Sequence, residues 1–165
     1  MSLGRMVRHL FATRWRVRRY FTPAALEQIE AAIREVESRH SGEIRFVVEA
    51  GLDGDDLWHD YPPRARALEV FSHLGVWDTA ANNGVLIYVL FADRDVEIVA
   101  DRGIAARVPQ AEWEQVCREI EAHYRAGRFA QGSVAGVHAV GRLLERHFPG
   151  QGADADELPN TPVVM

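Results

Sequence analysis

Five residues at one predicted end of the sheet have side chains suited to binding a divalent cation and a phosphate group. They are Asp78, Asn82, Asn83, Asp101 and Arg102. Carboxylate and amide oxygens are the ligands that Ca²⁺ and Mg²⁺ prefer, so the first four form a candidate metal site. In a hydrolytic mechanism the cation would polarise a phosphoryl oxygen, and Asp78 or Asp101 would position the attacking water. The guanidinium of Arg102 would clamp the phosphate.

The same residues also have a purely structural interpretation. Asn82 and Asn83 precede Gly84 at the start of a strand, which is ordinary loop-to-strand chemistry. The Asp78 carboxylate could bond to the local backbone instead of a ligand. The two interpretations differ in whether Asp78 and Asp101 share a pocket.

Two other acidic segments could also do chemistry. Asp93 and Asp95 follow an apolar strand, as the nucleophile and acid do in some phosphatases, but Asp95 begins a new strand, which favours a hairpin turn. The 53–56 segment offers hard oxygen ligands, but the EF-hand pattern fails at Trp58 and Arg64. A solvated loop is therefore the favoured interpretation of 53–56.

Composition excludes several classes of protein. The chain has 165 residues and 19 basic residues, all of them arginine, so it has neither a Schiff-base lysine nor a P-loop lysine. The single Cys117 allows no internal disulfide and sits on an apolar helical stripe. The seven histidines show no metal-ligand spacing. These features predict a cytoplasmic protein.

Charge divides the chain into an arm and a body. Residues 1–20 contain six arginines and no acid, whereas the rest is strongly acidic, which predicts no binding of nucleic acid by the body. Apolar residues of the arm recur at helical spacing. The arm is either a basic amphipathic helix on an anionic membrane surface or a helix docked on this protein's acidic surface or on a second subunit. We predict an arm over 1–21, a domain over 22–148 and a disordered acidic tail over 149–165.

The periodicity of the domain predicts an α/β fold. Strands are expected at 43–49, 84–91 and 96–101, with helices starting near Pro23, Pro63, Pro109 and in the last 20 residues before 148. The first two strands are joined through a helix and should be parallel, and the last two form an antiparallel hairpin. A two-residue turn would place Asp101 opposite Leu86. The expected architecture is a three-layer α/β/α sandwich with a small mixed sheet of three to four strands.

Three segments carry a family resemblance. They are the strand that begins Asn83-Gly84, the 93–104 segment ending in Asp101-Arg102-Gly103, and the 124–132 segment into the last helix. Together they resemble the TPM domain family over residues 24–148, in the short form found in bacteria. The resemblance implies an α/β/α sandwich and, for some members, divalent-cation binding and weak acid phosphatase activity. Other members are accessory proteins in photosystem repair or receptor regulation.

We therefore expect an interaction or accessory module that binds Ca²⁺ or Mg²⁺ and lies at the inner membrane through residues 1–20. Its protein partner, expected to be membrane-associated, is not identified by the sequence. The alternative is a weak metal-dependent acid phosphatase with Asp78, Asp101 and Arg102 as catalytic residues. The sequence shows no nucleophile–base pair, which favours the module.

Overall fold

A four-stranded mixed sheet in the order β3-β2-β1-β4 organises the domain. In the computed structural model, which describes residues 3–150 and 157–165, the strands are β1 (Glu43–Glu49), β2 (Gly84–Leu90), β3 (Asp95–Ala100) and β4 (Val163–Val164). β1 and β2 pair in parallel, and β2 and β3 pair antiparallel. The predicted crossover and hairpin are both confirmed.

Helices cover both faces of this sheet, as the three-layer prediction requires. They are α1 (Leu3–Phe11), α2 (Arg14–Tyr20), α3 (Pro23–Glu37), α4 (Gly54–Trp58), α5 (Pro63–His73), α6 (Arg102–Ala105), α7 (Gln110–Arg125) and α8 (Phe129–His147). Thr22 caps α3 by accepting a hydrogen bond from the Ala25 amide at 3.2 Å, and Pro23 opens the helix.

β2 lies at the centre of the fold and is buried along its whole length. Val85, Ile87 and Val89 belong to the core that α3, α7 and α8 cover. The alternate residues, among them Leu86 and Tyr88, belong to a second core under α5. An uninterrupted apolar strand therefore marks a sheet with a helical layer on each face.

The β2–β3 hairpin has a longer turn than predicted. Leu90 pairs with Asp95, so residues 91–94 form the turn, and Arg94 takes a positive φ of 55°. The backbone N–H of Asp101 consequently donates to the Gly84 carbonyl at 2.8 Å, and the predicted pairing of Asp101 with Leu86 is wrong. The error is two residues, so every β3 side chain remains on its predicted face.

The predicted disordered tail is wrong for its described part. Residues 151–156 lie outside the described residues, but β4 follows them and pairs in parallel with β1 at Val47 and Val48. The Met165 amide donates to the Val48 carbonyl at 2.8 Å, and Leu158 is buried in the second core. The acidic and proline residues suggested disorder, but the apolar residues near the end of the segment cover the free edge of β1.

Candidate functional site

The end of the sheet at Gly84 gathers three of the five predicted site residues. The Arg102 Nε donates to Asn82 Oδ1 at 3.0 Å, and the Gly103 amide donates to the Asn82 carbonyl at 3.1 Å. Asp101 caps α6, with its Oδ1 accepting from the Arg102 amide at 2.7 Å. These contacts form because β2 begins and β3 ends at the same end of the sheet.

Gly84 permits this arrangement because the loop from α5 passes directly over it. A Cβ at this position would collide with the Val76 carbonyl oxygen. The loop then places Asn82 in the left-handed region, at a φ of 51°, where asparagine is tolerated better than most residues. Close approach of the loop to the strand is therefore what brings Asn82 to Arg102.

Asn83 is buried at the neighbouring side of the strand. Its backbone N–H donates to Thr79 Oγ1 at 3.0 Å, and its backbone carbonyl accepts from the Glu43 N–H at 3.0 Å. Its side-chain Nδ2 donates to the Ser41 carbonyl. Asn83 Oδ1 and Asp101 Oδ2 are both shielded from solvent, and neither has a hydrogen-bond partner among the described residues. A bound cation would supply a partner for these two shielded oxygens.

Asp78 stands apart from these contacts. Its backbone amide donates to the Gly75 carbonyl at 2.9 Å, and its side chain is exposed. Within the described ranges, no hydrogen bond or ion pair links the Asp78 carboxylate to Asp101 or Arg102. Across residues 3–150 and 157–165, no three His, Cys, Asp or Glu side chains are grouped to hold a metal ion. The metal site and its amide ligands stay a prediction.

At the opposite end of the sheet, Asp93 anchors the N-terminal arm. Its carboxylate accepts hydrogen bonds from Arg5 Nε at 2.9 Å and from Arg8 Nη2 at 3.3 Å, and His9 Nε2 lies 3.0 Å from it. His9 Nδ1 accepts from the Leu52 amide, which places the imidazole proton on Nε2, facing Asp93. Burial alone would raise the pKa of Asp93, but the neighbouring His9 and Arg5 outweigh burial and hold the pKa well below its ordinary value.

This anchor orients the arm with its apolar face outward. Arg5 and His9 lie against the body, whereas Leu3 and Leu10 are 78% and 74% exposed. Six of the nine exposed large hydrophobic residues in the described chain belong to this segment: Leu3, Val7, Leu10, Phe11, Trp15 and Tyr20. In a surface helix of a globular domain the apolar side usually faces the core. α2 is held through Val17, and the fully buried Phe21 follows it into the core.

A third cluster, which the sequence did not predict, lies between β3 and α7. Asp95 and Glu97, at alternate positions of the edge strand β3, line one cleft with Cys117 and Glu121 of α7 and with Arg64 of α5. Burial, with the negative charges of Glu97 and Glu121, raises the pKa of Asp95 to about 6. Burial raises the pKa of the Cys117 thiol to about 12, which leaves it unreactive. The alternation of Asp95 and Glu97 is visible in the sequence, but Glu121 joins them only in the fold.

Comparison with known proteins gives a consistent result. The model of the TPM domain matches residues 17–143. The solution structure of the BA42 protein from the psychrophilic bacterium Bizionia argentinensis is 35% identical, with a TM-score of 0.75 over 87% of this chain and 94% of that one. No curated protein matches the chain.

Two more distant structures share the fold alone. The N-terminal domain of a P. gingivalis protein is 23% identical, with a TM-score of 0.63 over 81% of this chain and 82% of that one. The N-terminal domain of the cg2496 protein from Corynebacterium glutamicum is 16% identical, with a TM-score of 0.56 over 74% of this chain and 73% of that one.

Replacing the anchoring carboxylate should loosen the arm. We expect Asp93→Asn to remove the carboxylate that Arg5 and Arg8 pair with in the turn, and to speed tryptic cleavage within residues 14–19 by about tenfold. Because the pKa of Asp93 is depressed, docking is fully stabilised above about pH 4 and is lost as the pH falls through the folded-state pKa. Asp60→Asn is the control, since Asp60 is 57% exposed where it meets Arg5. Equal cleavage rates in both variants would contradict the anchor.

The acidic cluster should make the free energy of unfolding fall as the pH rises. Between about pH 4 and pH 6 the folded protein keeps a proton on Asp95 that the unfolded chain has lost. We expect Asp95→Asn to remove this fall and to be more stable than the parent at pH 7 by about 1–2 kcal/mol, allowing for partial exposure. Urea unfolding across the pH range measures it, with the exposed Glu119→Gln on α7 as control. Parallel pH profiles for the parent and Asp95→Asn would refute it.

Proposed function

The chain belongs to the TPM domain family, and from that premise we propose that it is an interaction module that binds an anionic membrane surface through its N-terminal arm. The observation that carries this proposal is the outward apolar face of α1. We further propose that a divalent cation, Ca²⁺ or Mg²⁺, binds at the Gly84 end of the sheet.

The arm has the two properties that interfacial binding needs. Its exposed leucine, phenylalanine and tryptophan side chains supply apolar area that could enter the boundary between headgroups and acyl chains. Of its six arginines, Arg5 is held against the body by Asp93 and Asp60. The others supply attraction to anionic lipid, at about 1 kcal/mol for each one near the surface. Trp15 and Tyr20 have the amphipathic rings that concentrate at membrane interfaces.

The anchor at Asp93 holds the apolar side of α1 exposed to solvent. Arg5 and His9 fix the polar side of α1 against the body, so the apolar side faces away without any rearrangement. None of the helices in the described ranges has the length and apolar character needed to cross a membrane. The proposed contact is therefore with the surface of the bilayer.

Support for the cation comes from the two oxygens that lack partners. Asn83 Oδ1 and Asp101 Oδ2 are hard oxygen ligands at one end of the sheet. Asn82 lies at the same end, bonded to Arg102, whereas Asp78 is in the exposed part of the preceding loop. The phosphatase alternative draws on the same residues, but Asp101 Oδ1 caps α6 and Arg102 Nε is bonded to Asn82. Because these side chains already make hydrogen bonds within the protein, a binding site is favoured over a catalytic one.

Removing apolar side chains from the arm should weaken membrane binding. We expect the parent protein to co-sediment with vesicles of phosphatidylglycerol and phosphatidylcholine, and the double variant Leu10→Ser, Phe11→Ser to bind at least about tenfold more weakly. The matched control replaces Trp58 and Leu68, which are also exposed but lie on α4 and α5, with serine. A parent protein that never co-sediments, or an equal loss in the control, would overturn the membrane proposal.

Cation binding should perturb a defined set of amides. Titration with CaCl₂ or MgCl₂ is expected to shift the backbone amide resonances of residues 78–84 and 101–104. Asp101→Asn keeps an oxygen to cap α6 but loses the charge, so we expect about tenfold weaker binding. Asp55→Asn in the exposed start of α4 is the control. Shifts confined to residues 53–56 would refute the site, and Mg²⁺-dependent hydrolysis of an aryl phosphate that Asp101→Asn abolishes would favour the phosphatase.

A further inference from the structure

A cleft of about 380 Å³ lies between the N-terminal arm and the β2–β3 turn. Arg8 and Arg16 line it from the arm, and Arg94 lines it from the turn. Tyr20, Phe91 and Phe129 supply its aromatic wall. We propose that this cleft binds a phosphate group attached to a flat or apolar moiety, with the three arginines as the ligands of the phosphate. This proposal goes beyond membrane binding, because it concerns a concave site and a specific chemical group.

The guanidinium groups of Arg16 and Arg94 are not committed to carboxylates. Arg16 Nη1 donates only to the Phe11 carbonyl at 3.4 Å, and Arg94 Nη1 donates only to the Arg125 carbonyl at 3.4 Å. Within the described chain neither side chain forms an ion pair. Each guanidinium has five N–H donors, so both keep most of them for a ligand. Two arginines with free donors on opposite walls fit the several oxygens of a phosphate.

Asp93 also lines the cleft, and its negative charge would oppose an anion. That charge is already paired with Arg5 at 2.9 Å, and His9 Nε2 lies 3.0 Å from the same carboxylate, both on the inner side of α1. Arg8 adds a longer contact of 3.3 Å through one nitrogen, and its side chain is 57% exposed. The cleft therefore holds an excess of positive charge after Asp93 has been counted.

The aromatic wall gives the site a second element of recognition. The Tyr20 ring centroid lies 4.9 Å from that of Phe129 and 5.6 Å from that of Phe91. Phe91 and Phe129 are buried, whereas Tyr20 is 41% exposed. A planar or apolar group next to the phosphate could cover this exposed ring surface. The shared chemistry is that of a phosphate ester, and its source is either a soluble ester or a lipid headgroup.

Nuclear magnetic resonance titration of the full chain tests the site. The probes are inorganic phosphate and phenylphosphonate, which cannot be hydrolysed as an ester. We expect both to shift the amides of residues 91–94 and the Nε–H resonances of Arg16 and Arg94, with tighter binding of phenylphosphonate. The double variant Arg16→Gln, Arg94→Gln should bind at least about tenfold more weakly, since each charged hydrogen bond contributes to affinity. Arg34→Gln with Arg142→Gln removes the same charge from exposed positions on α3 and α8 and should bind as the parent does.

Vesicle binding by the same variants identifies the source of the phosphate. The site takes a lipid headgroup if the double variant Arg16→Gln, Arg94→Gln no longer binds phosphatidylglycerol vesicles while the charge-matched control still binds them. The site takes a soluble ester if the double variant no longer binds phosphate but still binds vesicles. It also does so if the parent protein binds phosphate but never binds vesicles. The last result would refute the membrane proposal and leave this one intact. Absence of shifts at residues 91–94 with either probe, or equal weakening in the control, would overturn the phosphate site.

Discussion

The partly buried carboxylate of Asp93 determines which side of the N-terminal arm faces solvent. It sits in the turn between the central strand β2 and the edge strand β3, where Arg5 of α1 donates a hydrogen bond to it and His9 Nε2 lies 3.0 Å away. Taking a carboxylate out of water is costly unless it is paired, so the arm must present its polar side to the body. The apolar side is then left outside. The exposed apolar side of the arm and the arginine-lined cleft both follow from this one constraint.

The architecture could be predicted from the sequence because its strongest signals are local and unambiguous. β2 is apolar on both faces, which requires a helical layer on each side. Thr22 and Pro23 mark the start of α3, and the segment between β2 and β3 is too short for a crossover. The register was wrong by two residues because the turn at Arg94 uses a positive φ that arginine rarely adopts. No local preference in the sequence indicates that conformation.

The candidate site was predictable only in part, for a geometric reason. Asn82, Asp101 and Arg102 meet because paired strands fix where β2 begins and β3 ends. Asp78 lies in a loop whose path depends on how Val76 crosses Gly84, and pairing of strands says nothing about that path. The acidic cluster around Asp95 was missed because Glu121 comes from a helix 26 residues later in the chain. Contacts between distant elements of this kind are set by packing.

The segment from Leu158 to Met165 has a consequence for the behaviour of the protein at high concentration. It runs along β1, where the Arg45 guanidinium donates a hydrogen bond to the Thr161 carbonyl at 2.8 Å. β4 pairs with β1 at Val47 and Val48. Without it, a seven-residue strand of mostly buried residues would present open N–H and C=O groups, which is the usual starting point for strand exchange and amyloid-like association. By covering this edge, the segment protects the sheet from pairing with another copy of the chain.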